Sequence, residues 1–314
     1  MHYLITGVAG FIGMHLAEFL LKNGHRVTGI DCYLESYPLE VKEDRIKNLI
    51  QYEQFNFIHG SIVDMDLKPI CREVDFIFHK AAQAGIRFNW GDTYETYNTN
   101  NILGTQKLLE ATMGTSVKKL IYASSSSIYG DVKKLPINES VSPQPVSCYG
   151  VSKLAAEHMC YLYWKNFQVP ANSLRYFTVF GPRPRPDMCI CIFSRAIFSN
   201  EEIQIFGDGE QSRGFTYVSD VVNANLKAAE SPHVGEVMNI SGGGRITING
   251  LIRKLEVIIG KKAKVRYATF AKGDVMHTQA DISKAEKLIG YKPEKNFDEG
   301  LAETVASVKG FYKL

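Results

Sequence analysis

The start of the chain constrains the fold more than any other part. Residues His2 to Thr6 form a short apolar run typical of a buried strand, and residues Phe11 to Lys22 have apolar side chains at helical spacing. Gly7, Gly10 and Gly13 mark the junction, in the pattern G-x-x-G-x-x-G. Glycines here allow a tight turn, and the start of the following helix presents unpaired N–H groups to a diphosphate. Strand, glycine turn and helix in this order predict a dinucleotide-binding site.

A carboxylate at the end of the next strand indicates which dinucleotide is bound. The run from Arg26 to Ile30 ends in Asp31, eighteen residues after Gly13. Such a carboxylate accepts hydrogen bonds from ribose hydroxyls and repels a 2′-phosphate, which favours NAD over NADP. The simpler alternative, turn glycines followed by an ordinary capping aspartate, does not explain the matching order of strand, turn, helix and strand.

Apolar runs alternate with helical stretches through the first half of the chain. The helical stretches are Tyr94 to Thr112 and Gly150 to Asn166, and the strands are Phe55 to His59, Val74 to His79, Leu120 to Ser124 and Asn172 to Arg175. This alternation predicts an α/β fold with a doubly wound parallel sheet. Because ligands of such sheets bind beyond the carboxyl ends of the strands, one crevice is expected to collect Gly7, Asp31, Ala81, Ala82 and Ser125.

The composition of the sequence changes after Phe180. Prolines and arginines become frequent, and the predicted strands are short, such as Ile203 to Phe206 and Gly214 to Val218. We expect a nucleotide-binding domain over residues 1–175, to which a segment near residues 217–242 returns. Residues 176–314 are expected to form mainly a smaller α/β lobe that covers the crevice. A chain of 314 residues is long enough for one body with two such lobes.

Charge and composition argue against several kinds of partner. The formal net charge of +3 is too small to indicate nucleic acid or a membrane surface. No apolar run reaches the roughly eighteen residues that span a bilayer, and no secretory leader precedes the first strand. The six cysteines lack zinc or disulfide spacing, which favours thiols in a reducing cytoplasm and no metal centre.

Catalytic chemistry is indicated by Tyr149 and Lys153, which lie one helical turn apart, and by the serine cluster from Ser124 to Ser127. An ammonium beside a phenol favours phenolate and makes tyrosine a usable base. A serine hydroxyl at the end of a strand, such as Ser125, can hold a substrate oxygen. Tyr-x-x-x-Lys alone is common on surface helices, so its meaning depends on the dinucleotide site in the same chain.

Together, the Thr6–Gly13 segment and Tyr149-x-x-x-Lys153 resemble the extended short-chain dehydrogenase/reductase superfamily of nucleotide-sugar epimerases and dehydratases. The resemblance runs nearly end to end. Five further segments are most similar to UDP-glucuronate 4-epimerases. They are His79–Arg87, Arg175–Arg183, Arg185–Met188, Gln211–Tyr217, and Gly273–Val275 with Ala280–Asp281.

This resemblance implies a Rossmann-like fold, bound NAD and a UDP-sugar substrate. It implies oxidation of the sugar at C4, rotation of the 4-keto intermediate and reduction on the other face, which interconverts UDP-glucuronate and UDP-galacturonate. The implied catalytic residues are Tyr149, Lys153 and Ser125. The implied cofactor-binding residues are Gly7, Gly10, Phe11, Ile12, Gly13, Asp31, Ser61, Ile62, Ala81, Ala82, Asn101, Tyr149 and Lys153. The implied substrate-binding residues are Arg87, Ser125, Ser126, Ser127, Thr178, Arg185, Arg213 and Asp274. A homodimer is implied through the helices Tyr94–Thr112 and Gly150–Asn166.

Several alternatives stay open. Ser126 and Ser127 stand where dehydratases and decarboxylases of this superfamily carry carboxylates, which argues against elimination. A 4-epimerase of a neutral UDP-hexose or UDP-N-acetylhexosamine, or a UDP-glucuronate decarboxylase, shares nearly every residue, and a protein that only binds the dinucleotide is a further alternative. Arg185 either binds the sugar carboxylate or is solvated. Three departures have no counterpart in the pattern: Lys80 in place of an apolar residue, Ser61 in place of aspartate, and Cys148 in place of proline.

Overall fold

The computed structural model describes residues 1–85 and 94–314. In chain order, the strands are β1 (His2–Thr6), β2 (Arg26–Asp31), β3 (Phe55–His59), β4 (Phe76–His79), β5 (Lys119–Ser125), β6 (Ala171–Tyr176), β7 (Thr178–Phe180), β8 (Glu202–Phe206), β9 (Ser212–Tyr217), β10 (Val237–Ile240), β11 (Arg245–Thr247) and β12 (Lys264–Ala268). The helices are α1 (Phe11–Lys22), α2 (Leu39–Leu49), α3 (Lys68–Glu73), α4 (Tyr94–Tyr97), α5 (Gly104–Thr112), α6 (Cys148–Phe167), α7 (Cys189–Ser199), α8 (Val218–Glu230), α9 (Ile248–Ile259), α10 (Ser283–Ile289) and α11 (Phe297–Tyr312).

Seven strands form one parallel sheet in the order β10-β6-β5-β4-β1-β2-β3. Side chains alternate between its faces, as the pleat requires. Tyr3 and Ile5 pack into a buried cluster with α1 and α8, whereas Leu4 packs into a second cluster with α3, α5 and α6. The doubly wound parallel sheet predicted from the sequence is therefore confirmed.

The two helical stretches predicted from the sequence differ in their regularity. The helix α6 is continuous and begins at a Ser147 cap, whose hydroxyl accepts a hydrogen bond from the Gly150 N–H at 3.1 Å. The stretch from Tyr94 to Thr112 is instead divided into α4, a π-helical segment at Asn98–Leu103, and α5. A π-helical turn shifts the side chains that follow it around the axis, and such turns are frequent near functional sites.

The smaller lobe contains a three-stranded sheet (β11-β9-β7), a two-stranded sheet (β12-β8), and the helices α7, α9 and α11. Its core is built around Phe180, Phe215, Leu251 and Leu301, all of which are buried. Between β9 and β11 the chain leaves this lobe, and β10 pairs with β6 at the edge of the large sheet. Among the described residues, no helix is both long enough and apolar enough to cross a membrane.

Candidate active site

The carboxyl ends of the central strands open into a cavity of about 590 Å³ that residues of the smaller lobe also line. Nineteen of the predicted site residues lie on its wall: Gly7, Gly10, Phe11, Ile12, Gly13, Asp31, Ser61, Ile62, Ala81, Ala82, Ser125, Ser126, Ser127, Tyr149, Lys153, Thr178, Arg185, Arg213 and Asp274. The fold thus collects the glycine motif, the predicted catalytic trio and the arginines of the second half in one crevice.

The glycine turn leaves no room for side chains. Gly7 has φ +71°, a left-handed conformation, and a Cβ there would lie 2.6 Å from the Ala81 nitrogen. A Cβ on Gly10 would lie 2.9 Å from the Gly7 carbonyl oxygen, and one on Gly13 would lie 2.2 Å from the same atom. Gly10 also precedes α1 without a side-chain cap. The first turn of α1 therefore presents its backbone directly to the cavity, as diphosphate binding requires.

Asp31 ties the end of β2 to the glycine turn. Its Oδ2 accepts a hydrogen bond from the Ala9 N–H at 3.0 Å, and its Oδ1 accepts one from the Tyr33 N–H at 2.9 Å. Burial raises the pKa of this carboxyl, while the N–H groups of Tyr33 and Ala9 and the charge of Lys42 oppose the rise. The uncapped glycine turn and this carboxylate fit a dinucleotide with an unmodified adenosine ribose, so the residues present fit NAD.

One of the predicted site residues that the structure describes does not lie on the wall of the cavity. Asn101 is 1% exposed, and its amide is occupied with Gln83: Oδ1 accepts from the Gln83 N–H at 2.7 Å and Nδ2 donates to the Gln83 carbonyl at 3.1 Å. Nδ2 also donates to the Ser152 hydroxyl at 2.8 Å, so Asn101 joins the segment after β4 to α6 instead of facing the cavity. Arg87 lies outside the described residues.

The catalytic trio comes from two elements. Ser125 is the last residue of β5, and Tyr149 lies in the first turn of α6. Burial raises the pKa of the Tyr149 phenol, whereas a hydrogen bond with Ser125 and the charge of Arg185 oppose the rise. The sequence-based expectation was that Lys153 holds this pKa down. In the protein alone, burial dominates and the phenol stays protonated at neutral pH.

Lys153 sits in a buried environment that disfavours its charge. Burial lowers its pKa to about 7, and Glu157, one turn further along α6, opposes the decrease. Glu157 is held by Arg175, whose Nε and Nη2 donate at 3.0 and 2.6 Å, and it accepts from the Ser124 hydroxyl at 2.6 Å. Arg175 also donates to the Tyr129 hydroxyl at 2.7 Å. This buried, fully paired network fixes α6 against β5 and β6 behind the catalytic pair.

Arg185 is not solvated, which was the simpler alternative for it. Its Nε and Nη2 donate to the two carboxylate oxygens of Asp187, at 3.0 and 2.5 Å. Both side chains line the cavity, as does Thr178. A fork-to-fork pair of this kind fixes the plane of the guanidinium. Asp187 therefore orients Arg185. It also competes with any substrate carboxylate for the Nε–Nη2 edge of the guanidinium.

Arg213 and Asp274 were predicted as separate substrate contacts, yet they bind each other in an ion pair. Arg213 also donates through Nη1 to the carbonyls of Ser212 at 3.0 Å and Met276 at 3.2 Å. The loop around residue 274 is thereby fixed to β9. Together the two residues form one polar wall of the cavity.

Arg45 was missed in the sequence. It is 1% exposed and donates through Nη1 to the Ala9 carbonyl at 3.0 Å, and through Nη2 to the carbonyls of Arg183 at 2.9 Å and Pro184 at 3.1 Å. It thus joins the glycine turn to the loop that carries Arg185. The sequence signal for a buried role was the position of Lys42 and Arg45 on the apolar stripe of α2, where exposed charges are not expected. The apolar residues of that stripe are Val41, Ile46 and Leu49.

Comparisons with known proteins agree with this geometry. A family model described as the NAD dependent epimerase/dehydratase family matches residues 3–241. The chain is 42% identical over 309 residues to a UDP-glucuronate 4-epimerase of Thermodesulfobacterium geofontis, covering 97% of this chain and 95% of that one. It is 40% identical over 315 residues to an uncharacterized UDP-glucose epimerase, YtcB, of Bacillus subtilis, covering 100% and 99%.

A solved structure of the UDP-glucuronic acid 4-epimerase from Bacillus cereus in complex with UDP-glucuronic acid and NAD matches with a TM-score of 0.96 at 41% identity. The match covers 99% of this chain and 100% of that one. A UDP-glucose 4-epimerase from Thermotoga maritima with UDP-glucose matches with a TM-score of 0.89 at 34% identity, covering 99% and 100%. The glycine turn, the Tyr–Lys pair and these end-to-end matches agree, and the chain belongs to the NAD-dependent epimerase/dehydratase family.

Proposed function

We propose that this protein interconverts UDP-glucuronate and UDP-galacturonate by reversible oxidation at C4 of the sugar, with NAD held throughout the cycle. The observation that carries the proposal is one cavity that joins the glycine turn and Asp31 to Ser125, Tyr149 and Arg185. The similarity to UDP-glucuronate 4-epimerases over nearly the whole chain supports it.

The catalytic residues move one proton and position one oxygen. Tyr149, as phenolate, accepts the proton of the C4 hydroxyl, and Ser125 holds the C4 oxygen. When bound, the cofactor accepts the hydride from C4 and later returns it, so the reaction has no net change in oxidation state. After the 4-keto sugar turns its other face, Tyr149 gives its proton back to the C4 oxygen, and the configuration at C4 is inverted.

This role requires a phenol that ionises more readily than it does in the protein alone. A positive charge close to the ring favours phenolate. Arg185 supplies protein charge near the phenol, and the oxidised nicotinamide adds a further positive charge when the dinucleotide is bound. We infer that Tyr149 becomes a base only in the cofactor-loaded enzyme.

A glucuronate carboxylate gives a role to the polar residues around the trio. The 4-keto intermediate is a β-keto acid, which loses carbon dioxide when its carboxylate bond aligns with the carbonyl π system. Arg185, with the hydroxyls of Ser126, Ser127 and Thr178, is suited to hold the carboxylate out of that alignment. Arg213 is suited to the substrate diphosphate, with Asp274 fixing its position.

The bidentate pair between Arg185 and Asp187 favours a second candidate function. Because the Arg185 guanidinium is already paired with Asp187, the cavity also accommodates an uncharged sugar. A 4-epimerase acting on a neutral UDP-hexose is therefore the alternative, and a UDP-glucose 4-epimerase is among the matching structures.

We also propose that the protein is a cytoplasmic homodimer. Tyr161 and Leu162 of α6 and Leu103 near α5 are between 41% and 50% exposed, although large apolar side chains are usually covered. These helices are adjacent, so a second copy would cover both at once. Cys71, Cys160 and Cys191 are buried thiols outside any disulfide, as expected in a reducing compartment.

A proton NMR time course with UDP-glucuronate, UDP-glucose and UDP-N-acetylglucosamine tests the activity. We expect UDP-galacturonate to form from UDP-glucuronate without release of carbon dioxide. In an Arg185→Met variant, turnover of UDP-glucuronate should fall about 100-fold, since a charge-assisted contact of about 2–3 kcal/mol is lost. A parent enzyme that converts only the neutral sugars would establish the alternative, and carbon dioxide as the main product would exclude both epimerases.

A further inference from the structure

Lys80 is a buried amine on the wall of the cavity that the proposed reaction does not use. Its Nζ donates to the Ile121 carbonyl at 3.1 Å and to the Tyr176 hydroxyl at 3.0 Å. The Tyr176 hydroxyl in turn donates to Asn225 Oδ1 at 2.9 Å. Within residues 1–85 and 94–314, the polar partners of Lys80 are these neutral acceptors, and none of the ion pairs includes it. When it is protonated, the amine therefore has no carboxylate counter-charge among the described residues.

The sheet register places Lys80 beside the strand that ends in Ser125. Lys80 follows His79, which pairs with Tyr122 of β5, so Lys80 lies beside Ala123, two residues before Ser125. The Lys80 Nζ reaches the Ile121 carbonyl, four residues before Ser125, which is about 13 Å along the strand. Hydride transfer from a hydroxyl held by Ser125 requires the nicotinamide to be in contact with the sugar at that point. The nicotinamide end of the cofactor is therefore expected on the Lys80 side of the cavity, within range of a buried charge, whereas Asp31 marks the adenosine end.

We propose that the amine of Lys80 favours the reduced over the oxidised nicotinamide in this cavity. This inference rests on the proposed NAD-dependent function. The oxidised ring carries a positive charge that disappears when a hydride is added, so an uncompensated cation nearby disfavours only the oxidised form. Charge–charge interactions of this range are large in a buried site and small in water. Removal of hydride from the sugar is thereby eased at the start of the cycle.

The surroundings of Lys80 make its charge responsive to the ring. Burial and the nearby Lys153 hold the pKa of Lys80 well below its usual value. A neutral ring leaves Lys80 more readily protonated than a positive one does. The effect of the lysine on the ring and the effect of the ring on the lysine have the same direction, since the lysine holds its proton more firmly beside the reduced cofactor.

Equilibrium binding of NAD⁺ and NADH to the cofactor-stripped enzyme tests the proposal. For Lys80→Met, we expect the ratio of the NADH Kd to the NAD⁺ Kd to rise about tenfold relative to the parent, from the loss of one nearby charge. Lys80→Arg carries a permanent charge and should not raise the ratio above that of the parent. Should Lys80→Met fail to fold, Lys80→Gln removes the charge while retaining an N–H donor.

Lys119→Met is a matched control. Lys119 is also a buried lysine that donates to two backbone oxygens, those of Ser231 at 2.8 Å and His233 at 2.7 Å, but it begins β5 at the opposite end of the strand. Its loss should weaken both dinucleotides equally or neither. An unchanged ratio in Lys80→Met, or an equal change in Lys119→Met, overturns the proposal for Lys80. A parent that binds neither dinucleotide overturns the proposed function as well.

Discussion

The surroundings of Tyr149 show why its role depends on the loaded site. In the protein alone, burial raises the pKa of the phenol, and the hydrogen bond with Ser125 and the charge of Arg185 only partly oppose it. In the proposed mechanism, the basic phenolate is therefore produced by the complex and not by the apoprotein. Substitution of the phenol separates proton transfer from binding.

In a Tyr149→Phe variant we expect kcat to fall by about 10²–10⁴, the usual contribution of a positioned base, while NAD binding is retained. Tyr161→Phe is the control, because Tyr161 lies on the same helix and is 50% exposed. The rate of C4 inversion is followed by NMR. Parent activity in Tyr149→Phe would remove this residue from the mechanism.

Lys153 predicts how the stability of the cofactor-free protein depends on pH. Its pKa is about 7 when folded and near 10.5 when unfolded, so between these values the unfolded chain binds more protons. The free energy of unfolding therefore rises with pH in this window, by up to about 1.4 kcal/mol per pH unit from this group. The rise is lost as pH falls through 7, where the lysine is protonated in both states.

Denaturant unfolding of the parent and of Lys153→Met at pH 7, 8 and 9 measures this contribution. We expect the parent to gain stability over the range relative to the variant. His79 and Lys80 have pKa values lowered by burial and by the charge of Lys153, so the difference reports Lys153 together with its coupling to these two groups. Parallel stability curves for the two proteins would show that Lys153 does not titrate as described.

At the scale of elements, α2 fixes the relation between the two halves of the cavity. Arg45 reaches from this helix to the glycine turn and to the loop that carries Arg185. Its charge has hydrogen bonds but no carboxylate partner among the described residues. Arg45 thus helps to hold the glycine turn and this loop at one distance, together with His15 and Glu18 of α1, which bind Pro182 and Arg183 of the same loop.

An Arg45→Met variant should lose about 3 kcal/mol of the free energy of unfolding, because several buried carbonyls lose a charged donor. We also expect the Kd for NAD and the KM for the UDP-sugar to rise together, since both loops are released. Lys47→Met, an exposed change on the same helix, is the control for each measurement. An Arg45→Met enzyme that loses stability while both constants stay unchanged would limit Arg45 to a structural role.

Local sequence pattern was sufficient to predict the regular elements. It was not sufficient to predict contacts between residues far apart in the chain. The observed β3 has the predicted bounds, and so does α1, because apolar periodicity and flanking glycines are local signals. The π-helical turn at Asn98–Leu103 and the absence of Asn101 from the cavity wall depend on packing against other elements. The contact between Arg185 and Asp187 depends on the path of a proline-rich loop, which no periodicity determines.

For the whole molecule, the exposed apolar face of α5 and α6 predicts a homodimer of twice the 35.2 kDa chain mass. Leu162→Glu places a charge in that face and should shift the protein to monomer in sedimentation experiments. Val257→Glu is the control, because Val257 is 83% exposed on α9 in the smaller lobe. A dimer that survives Leu162→Glu unchanged would place the interface elsewhere.

The position of β10 has a consequence for synthesis on the ribosome. β6 is complete at Tyr176, but its neighbour at the edge of the sheet emerges only with Val237–Ile240, after most of the smaller lobe has been translated. A nascent chain in that interval exposes the unpaired backbone of β6, which can pair with a strand of another molecule. Chains truncated between these two strands should consequently aggregate, whereas chains that extend past Ile240 close the edge themselves.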